Sequence, residues 1–452
     1  MDTKELFKDY YNAWLNDLKD LLRIPSVLTE YNPKNTEAPF GEGVRKSLDF
    51  MLDLARRDGF KAVNVDNYAG FIEWGEGDEV VVILCHLDVV PATGAWTNPP
   101  FDPIIKGNKL YARGSSDDKG PLMSTYYALK MLKDQGYTPK KKIRFFFGCD
   151  EESGSRCLEH YIEKYPECDY GFSPDADFPC IYAEKGISTI KFEGKVEAKE
   201  LLSFDAGSAP NVVPDVARAT LSIDLKKEFK EFLSDNKLKG EVKGNEYIVY
   251  GKSAHGSTPE KGVNAATLLA SFLNLFISSP FLRFVSGYLT DDHYGTKLNM
   301  DVVDDEMGHT SSNPAVYHIE NGVFTILDNL RYTKSFDFDS KMKELEETVS
   351  NLGIKSSVVG NSTYHYVPKD SKLIKDLLKA FNKWTPELKD EDREPLSIGG
   401  GTYARDFKNA VAFGVIFPHE GECMHMPDEF ANIDNLVKSV FIIKDAIVNL
   451  CD

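Results

Sequence analysis

The chain has 452 residues, 42% apolar and 27% charged, ample for a real core and for two or three domains. Its 53 Lys and Arg face 71 Asp and Glu, a net charge of −18, which argues against a nucleic-acid or anionic-membrane partner because both need a basic face. No apolar run approaches the roughly 18–20 residues of a membrane span. The acidic, amphipathic N-terminus lacks a leader pattern, and seven cysteines without a CxxC pair fit reduced thiols, so a cytoplasmic location is expected.

At the N-terminus, Phe7, Tyr11, Trp14, Leu18 and Leu21 recur at helical spacing and Pro25 lies just past them, predicting an amphipathic helix. The continuous apolar runs VVVILCH (80–86) and KIRFFFG (142–148) predict strands covered on both faces. Between them, GPLMSTYYALKMLKDQG (120–136) predicts a helix, with Pro121 near its start and Gly136 at its end. A short strand is expected within 168–179. From about residue 186 the texture alternates, as in ISTIKFEGKV, ARATLSIDL, EYIVYGK and GVFTILDNLRY, predicting half-exposed antiparallel strands, with a helix over 264–279. The doubly covered texture returns near residue 366. There AVAFGVIFP (410–418) predicts one buried strand and DNLVKSVFIIKDAIVNL (434–450) a closing helix. The expected fold class is α/β. A catalytic domain, 1–185 with 366–452, would hold a mostly parallel sheet flanked by helices, and 186–365 would be an inserted α+β domain with an antiparallel sheet.

Chemistry-bearing residues gather where apolar runs stop, and ligands in such sheets collect at the carboxyl ends of strands. His86 and Asp88 are two apart and share a side of the chain. Asp117 and Asp118 precede a helix, where an acid can also serve as a simple cap. Asp150, Glu151 and Glu152 follow three phenylalanines, and like charges so close resist ionisation unless solvent or a cation offsets the repulsion. Asp175 and Asp177 lie in FSPDAD, and His425 in ECMHMPDEF. Together these residues resemble a site for two divalent ions about 3.5–4 Å apart bridged by a carboxylate. One glutamate of the pair would bind an ion while the other acts as general base toward water. Trp96 and NPPFDP are expected to form a packed loop, and Cys85, Cys149 and Cys423 to be small buried thiols.

The motifs HLDVVP, RGSSDDKGP, DEESGS, SPDADFP, NVVPD, GKSAHGSTPEKG and GGGTYAR occur in one order from about residue 10 to the C-terminus. In that set the chain resembles the M20 metallopeptidase family, and within it the PepV-like dipeptidase branch. The resemblance implies that His86 and Asp175 hold one metal, Glu152 and His425 the other, and that Asp117 bridges them. It implies further that Asp88 orients His86 and that Glu151 is the general base. His255 would stabilise the oxyanion with help from Asn211, and Arg331, by default a solvated strand arginine, would grip the substrate carboxylate. Gly399, Gly400, Gly401 and Thr402 would line the dipeptide cleft. The implied cofactor is a pair of divalent ions, Zn²⁺ ahead of Mn²⁺ or Co²⁺. The implied activity is metal-dependent hydrolysis of unblocked dipeptides by a monomer rather than a homodimer. An amidohydrolase or carboxypeptidase acting on N-acyl amino acids would share the same metal core. A non-catalytic metal-binding protein is the third possibility, against which Glu151 speaks, since a pure binder has no use for a base.

Overall fold

Strand Val80–His86 is buried at all seven positions, which is why its sequence shows no polar alternation. In the computed structural model, which describes residues 2–421 and 423–452, that strand lies between Lys142–Gly148 and Tyr170–Ser173 and is parallel to both. Ala410–Ala412 extends the parallel set beside Tyr170–Ser173. Antiparallel strands Ala69–Trp74 and Lys61–Val65 complete the side beyond Lys142–Gly148. The chain divides into two compact units. The first is made of Met1–Tyr182, Tyr366–Leu396 and Gly401–Asp452, the second of Ala183–His365 and Ser397–Gly400.

In the first unit, helix Lys119–Asp134 packs against helices Ile433–Cys451 and Thr3–Leu22. The N-terminal helix is capped by the Asp2 carboxylate and buries Phe7, Trp14, Leu18 and Leu21, while Tyr11 remains half-buried. Each such buried apolar side chain contributes about 1.5–3 kcal/mol. The expected single strand over 410–418 is two short ones, Ala410–Ala412 and Val415–Ile416. Gly414 adopts a φ of +79° between them, and Val415–Ile416 pairs instead with Ala176–Asp177. All seven cysteines are free thiols. Among the described residues no helix is long and apolar enough to cross a membrane.

The second unit contains an eight-stranded antiparallel sheet in the order Lys239–Lys243, Glu246–Tyr250, Val216–Leu221, Leu201–Ala206, Ser311–Glu320, Val323–Tyr332, Gly186–Lys195, Lys355–Ser362. The alternating pattern of Gly186–Lys195 places Ile190 and Phe192 in a core shared with Phe272 and Leu273 of helix Ala265–Asn274.

One buried ion pair fastens the C-terminal segment of the first unit to the loop before helix Lys119–Asp134. Arg113 Nη1 donates to Glu429 at 2.6 Å, with both side chains at most 1% exposed. The same carboxylate accepts the backbone N–H groups of Gly114, Ser116 and Asp117 at 3.1, 2.8 and 3.2 Å. Removing one partner of a buried pair strands the other charge. Glu429→Ala is therefore expected to cost about 3–5 kcal/mol of unfolding free energy, read by denaturant titration. A loss below about 1 kcal/mol would show that the pair does not hold this loop.

Candidate metal centre

Three neighbouring parallel strands deliver their following residues to one edge. His86 ends Val80–His86, Glu151 and Glu152 lie in the turn after Lys142–Gly148, and Asp175 follows Tyr170–Ser173. Asp117 comes from the loop before helix Lys119–Asp134, and His425 from a turn in which it adopts a φ of +62°.

Asp117 sits between the two imidazoles. Its Oδ1 lies 2.9 Å from His86 Nε2 and its Oδ2 lies 2.9 Å from His425 Nε2. Asp175 approaches His86 Nε2 at 3.4 Å, and Glu152 approaches His425 Nε2 at 3.1 Å. The five residues thus fall into two pairs sharing one carboxylate. The two sides differ in exposure, His86 being 1% and His425 55% exposed.

His86 Nδ1 lies 2.9 Å from the backbone carbonyl of Asp88. A carbonyl only accepts, so Nδ1 carries a proton; Nε2 faces the acids, to which it donates when the ring is charged, and would turn its lone pair to a cation bound there. The Asp88 carboxylate is 3.5 Å from the ring. It also accepts the backbone N–H groups of Glu151 and Glu152 at 3.0 and 3.1 Å, so one acid positions both the histidine and the glutamate turn.

Asp118 occupies the helix N-cap position but makes no side-chain cap. Its Oδ2 instead accepts the His86 backbone N–H at 2.8 Å, so simple capping is not its role. Ligand atoms of His86, Asp118 and Asp175 lie within 4.8 Å of one another, as do those of His86, Asp117 and Glu152. Asp150 stands apart from this cluster and is paired with Arg156 at 2.5 Å.

The electrostatics show an excess of buried negative charge. Burial opposes ionisation of Asp117, yet hydrogen bonds with His425 and His86 outweigh it and hold its pKa below the usual range. The same contacts, to Asp117 and Glu152, push His425 up to about 10. Burial raises Glu151 well above an ordinary glutamate, with Asp175, Glu152 and Asp117 adding to the shift against His86. Burial and the Asp117 charge likewise raise Glu152 and Asp175. Two buried acceptors, Glu152 Oε1 and Asp118 Oδ1, have no hydrogen-bond partner. A set of carboxylate oxygens and imidazole nitrogens with orphaned acceptors and surplus negative charge fits divalent cations of the Zn²⁺, Mn²⁺ or Co²⁺ kind.

Other sequence-predicted residues lie in the second unit. Gly256 N–H donates to Asn211 O at 2.7 Å, and Val212 bridges His255, so these two segments are neighbours. His255 Nδ1 meets Ser257 Oγ at 2.7 Å. Arg331 is 4% exposed, held by Asn329 Oδ1 at 2.7 Å and Gly399 O at 2.8 Å, rather than solvated. A Cβ on Gly399 would meet Ser257 Cβ at 2.5 Å, which explains glycine there. Gly400 belongs with Gly399 in this unit, while Gly401 and Thr402 belong to the first. Trp96 is half-buried under the Arg113 guanidinium, 5.1 Å from its ring, and Pro100 O accepts the Arg113 N–H at 2.8 Å, so the segment packs as expected; Thr97 donates through N and Oγ1 to Asp428 at 2.8 and 2.7 Å. That contact braces the turn carrying His425.

Sequence reasoning missed Glu429 and Lys119. The Lys119 ammonium donates to the carbonyls of Leu21 and Ile24 at 3.2 and 2.7 Å, and burial pulls its pKa down to about 7 against the charges of Glu429 and Asp88. Both residues lie inside or beside quoted motifs, but no local periodicity marks a charge as buried.

The sequence profile described as Peptidase family M20/M25/M40 matches residues 82–449. A protein of Staphylococcus saprophyticus named "Putative dipeptidase" is 37% identical over 99% of both chains, and one of Staphylococcus haemolyticus with the same description is 36% identical with the same coverage. Human carnosine dipeptidase 1 shares the fold with a TM-score of 0.61 at 14% identity, covering 99% of this chain and 98% of its own. With its metal-fitting acid and imidazole cluster and this match across most of its length, the chain belongs to peptidase family M20/M25/M40.

Proposed function

We propose that this peptidase is a two-metal dipeptidase acting on unblocked dipeptides. The observation that carries the reading is Asp117, whose two oxygens each face a different imidazole at 2.9 Å with Glu151 half-buried nearby. His86 and Asp175 would hold one divalent cation, Glu152 and His425 the other, and Asp117 both; Zn²⁺ is favoured over Mn²⁺ or Co²⁺. When bound, such ions supply the Lewis acidity that brings a water's pKa towards about 7 and polarises a carbonyl. Glu151 takes a proton from the attacking water and returns it to the leaving amine. His255, its ring set by Ser257, donates to the developing oxyanion, with Asn211 beside it. Arg331 presents its guanidinium to the substrate carboxylate, and Gly399, Gly400, Gly401 and Thr402 border the cleft. The names of the Staphylococcus relatives support the dipeptide preference.

Glu151→Gln is expected to keep metal, as measured by elemental analysis, while kcat falls by about 10²–10⁴-fold. Near-normal turnover in that variant would remove Glu151 from its role. Chelation should abolish dipeptide hydrolysis, and added divalent metal should restore it; activity untouched by exhaustive chelation would sink the two-metal reading. A panel of dipeptides, tripeptides and N-acetyl amino acids should show cleavage concentrated in the first class, and a preference for N-acetyl substrates would reassign the enzyme. Arg331→Lys keeps the charge but not the bidentate fork. It should raise KM for dipeptides with a free carboxylate by about tenfold, with much less effect on the C-terminal amides. An unchanged KM would reject the clamp.

A further inference from the structure

Tyr403 opens the short turn Tyr403–Asp406 in the first unit and is 2% exposed. A tyrosine so deep usually spends its hydroxyl on a fixed partner. Here the partner is Cys157 Sγ at 3.0 Å. The ring stands at 86° to the His86 imidazole with centroids 6.4 Å apart, and at 75° to the Phe146 ring at 5.8 Å. Edge-to-face contacts of this kind favour one relative orientation of two rings. Burial, with Cys157, Asp88 and Glu151 adding, raises the phenol well above its ordinary range, so it stays protonated.

Gly148 keeps the slot open for this side chain. It ends strand Lys142–Gly148, lies beside His86 in the parallel register, and its carbonyl accepts the Leu87 N–H at 2.8 Å. Its φ is not positive, so glycine supplies room here rather than backbone freedom. A Cβ at this position would meet the Tyr403 hydroxyl at 2.4 Å and Cys157 Sγ at 2.9 Å. The His86 imidazole is held at its two nitrogens, Nδ1 by the Asp88 carbonyl at 2.9 Å and Nε2 by Asp117 at 2.9 Å. Contacts at two nitrogens leave the ring free to swing about the line between them. A second ring in edge contact opposes that swing.

We infer that Tyr403 is a positioning residue for the metal centre: its ring, pinned at the hydroxyl by Cys157 and given room by Gly148, holds the His86 imidazole in the orientation that receives a divalent cation. It acts through His86 and not through the substrate. The inference rests on the two-metal reading and adds a residue to it.

The test measures Zn²⁺ affinity by competition with a chromophoric chelator in wild type, Tyr403→Phe and Tyr403→Leu, at a temperature where circular dichroism shows all three folded. Tyr403→Leu should bind one of its Zn²⁺ ions at least about tenfold more weakly than wild type, the usual scale for a lost outer partner. Tyr403→Phe keeps the ring and should stay within about threefold of wild type. At saturating Zn²⁺, kcat for Ala-Ala should fall about tenfold in Tyr403→Leu with KM unchanged. If that variant does not fold, Tyr403→Met, which fills the slot with a flexible chain, takes its place. A side chain that merely filled space would lower the melting temperature of Tyr403→Leu and leave affinity and kcat at wild-type values; that result overturns the inference and leaves the two-metal reading standing. Equal weakening in Tyr403→Phe would assign the effect to the hydroxyl and overturns it as well. Wild-type protein that binds no Zn²⁺ overturns the two-metal reading and the inference together.

Discussion

Like-charge crowding at the ends of parallel strands is the constraint on which the site depends. Asp117, Asp118, Glu151, Glu152 and Asp175 converge on His86 and His425, and burial penalises each additional negative charge. Two imidazoles do not balance five carboxyl groups. Asp117 alone gains enough from its neighbours to lie below the ordinary aspartate range, because each of its oxygens meets a ring nitrogen. The other acids are shifted upward, so they take up protons readily unless positive charge is added beside them. Divalent cations held here, as proposed, would supply that relief, and on that reading the repulsion belongs to the working part of the molecule.

The surrounding polar groups explain how so strained a cluster keeps its shape. Asp88 takes the backbone N–H groups of Glu151 and Glu152 while its own carbonyl fixes the His86 ring. Asp118 takes the His86 backbone N–H. Lys119 is spent on two carbonyls at the end of the N-terminal helix, which ties the Asp117 loop to that helix. None of these contacts reaches a substrate. Each removes a degree of freedom from a residue of the cluster, and outer partners of this sort around a metal commonly change its affinity by about 10–100-fold.

Much of this was legible in the sequence because burial on both faces leaves an uninterrupted apolar run, and the proposed ligands, His425 excepted, lie near the end of such a run or the start of a helix. Val80–His86, Lys142–Gly148 and Lys119–Asp134 follow directly from that texture. The strand over 410–418 was misjudged because a run of apolar residues does not report backbone sign, and Gly414 turns the chain to a different partner. Arg331 looked like a surface residue because its partners, Asn329 and especially Gly399, are invisible to local pattern. Asp118 looked like a cap for the same reason: its real partner is 32 residues away. Glu429 and Lys119 were missed since sequence spacing marks apolar faces, whereas a buried charge is defined by what surrounds it.

The contrast between the two histidines carries the argument further. His86 belongs to a central strand and inherits its rigidity, while His425 sits in an exposed turn 308 residues beyond Asp117. Bringing such distant segments together is less demanding than it looks, because closure cost grows only as the logarithm of loop length. What the chain must secure is the last ångström. It does so just after His425: Asp428 is gripped by Thr97, and Glu429 by Arg113 and by the amides of Ser116 and Asp117. The second grip is decisive, because the loop it holds is the one that carries Asp117, the acid facing both imidazoles. A single buried carboxylate therefore ties the Asp117 loop to the segment just after His425, without touching the side-chain atoms of the cluster.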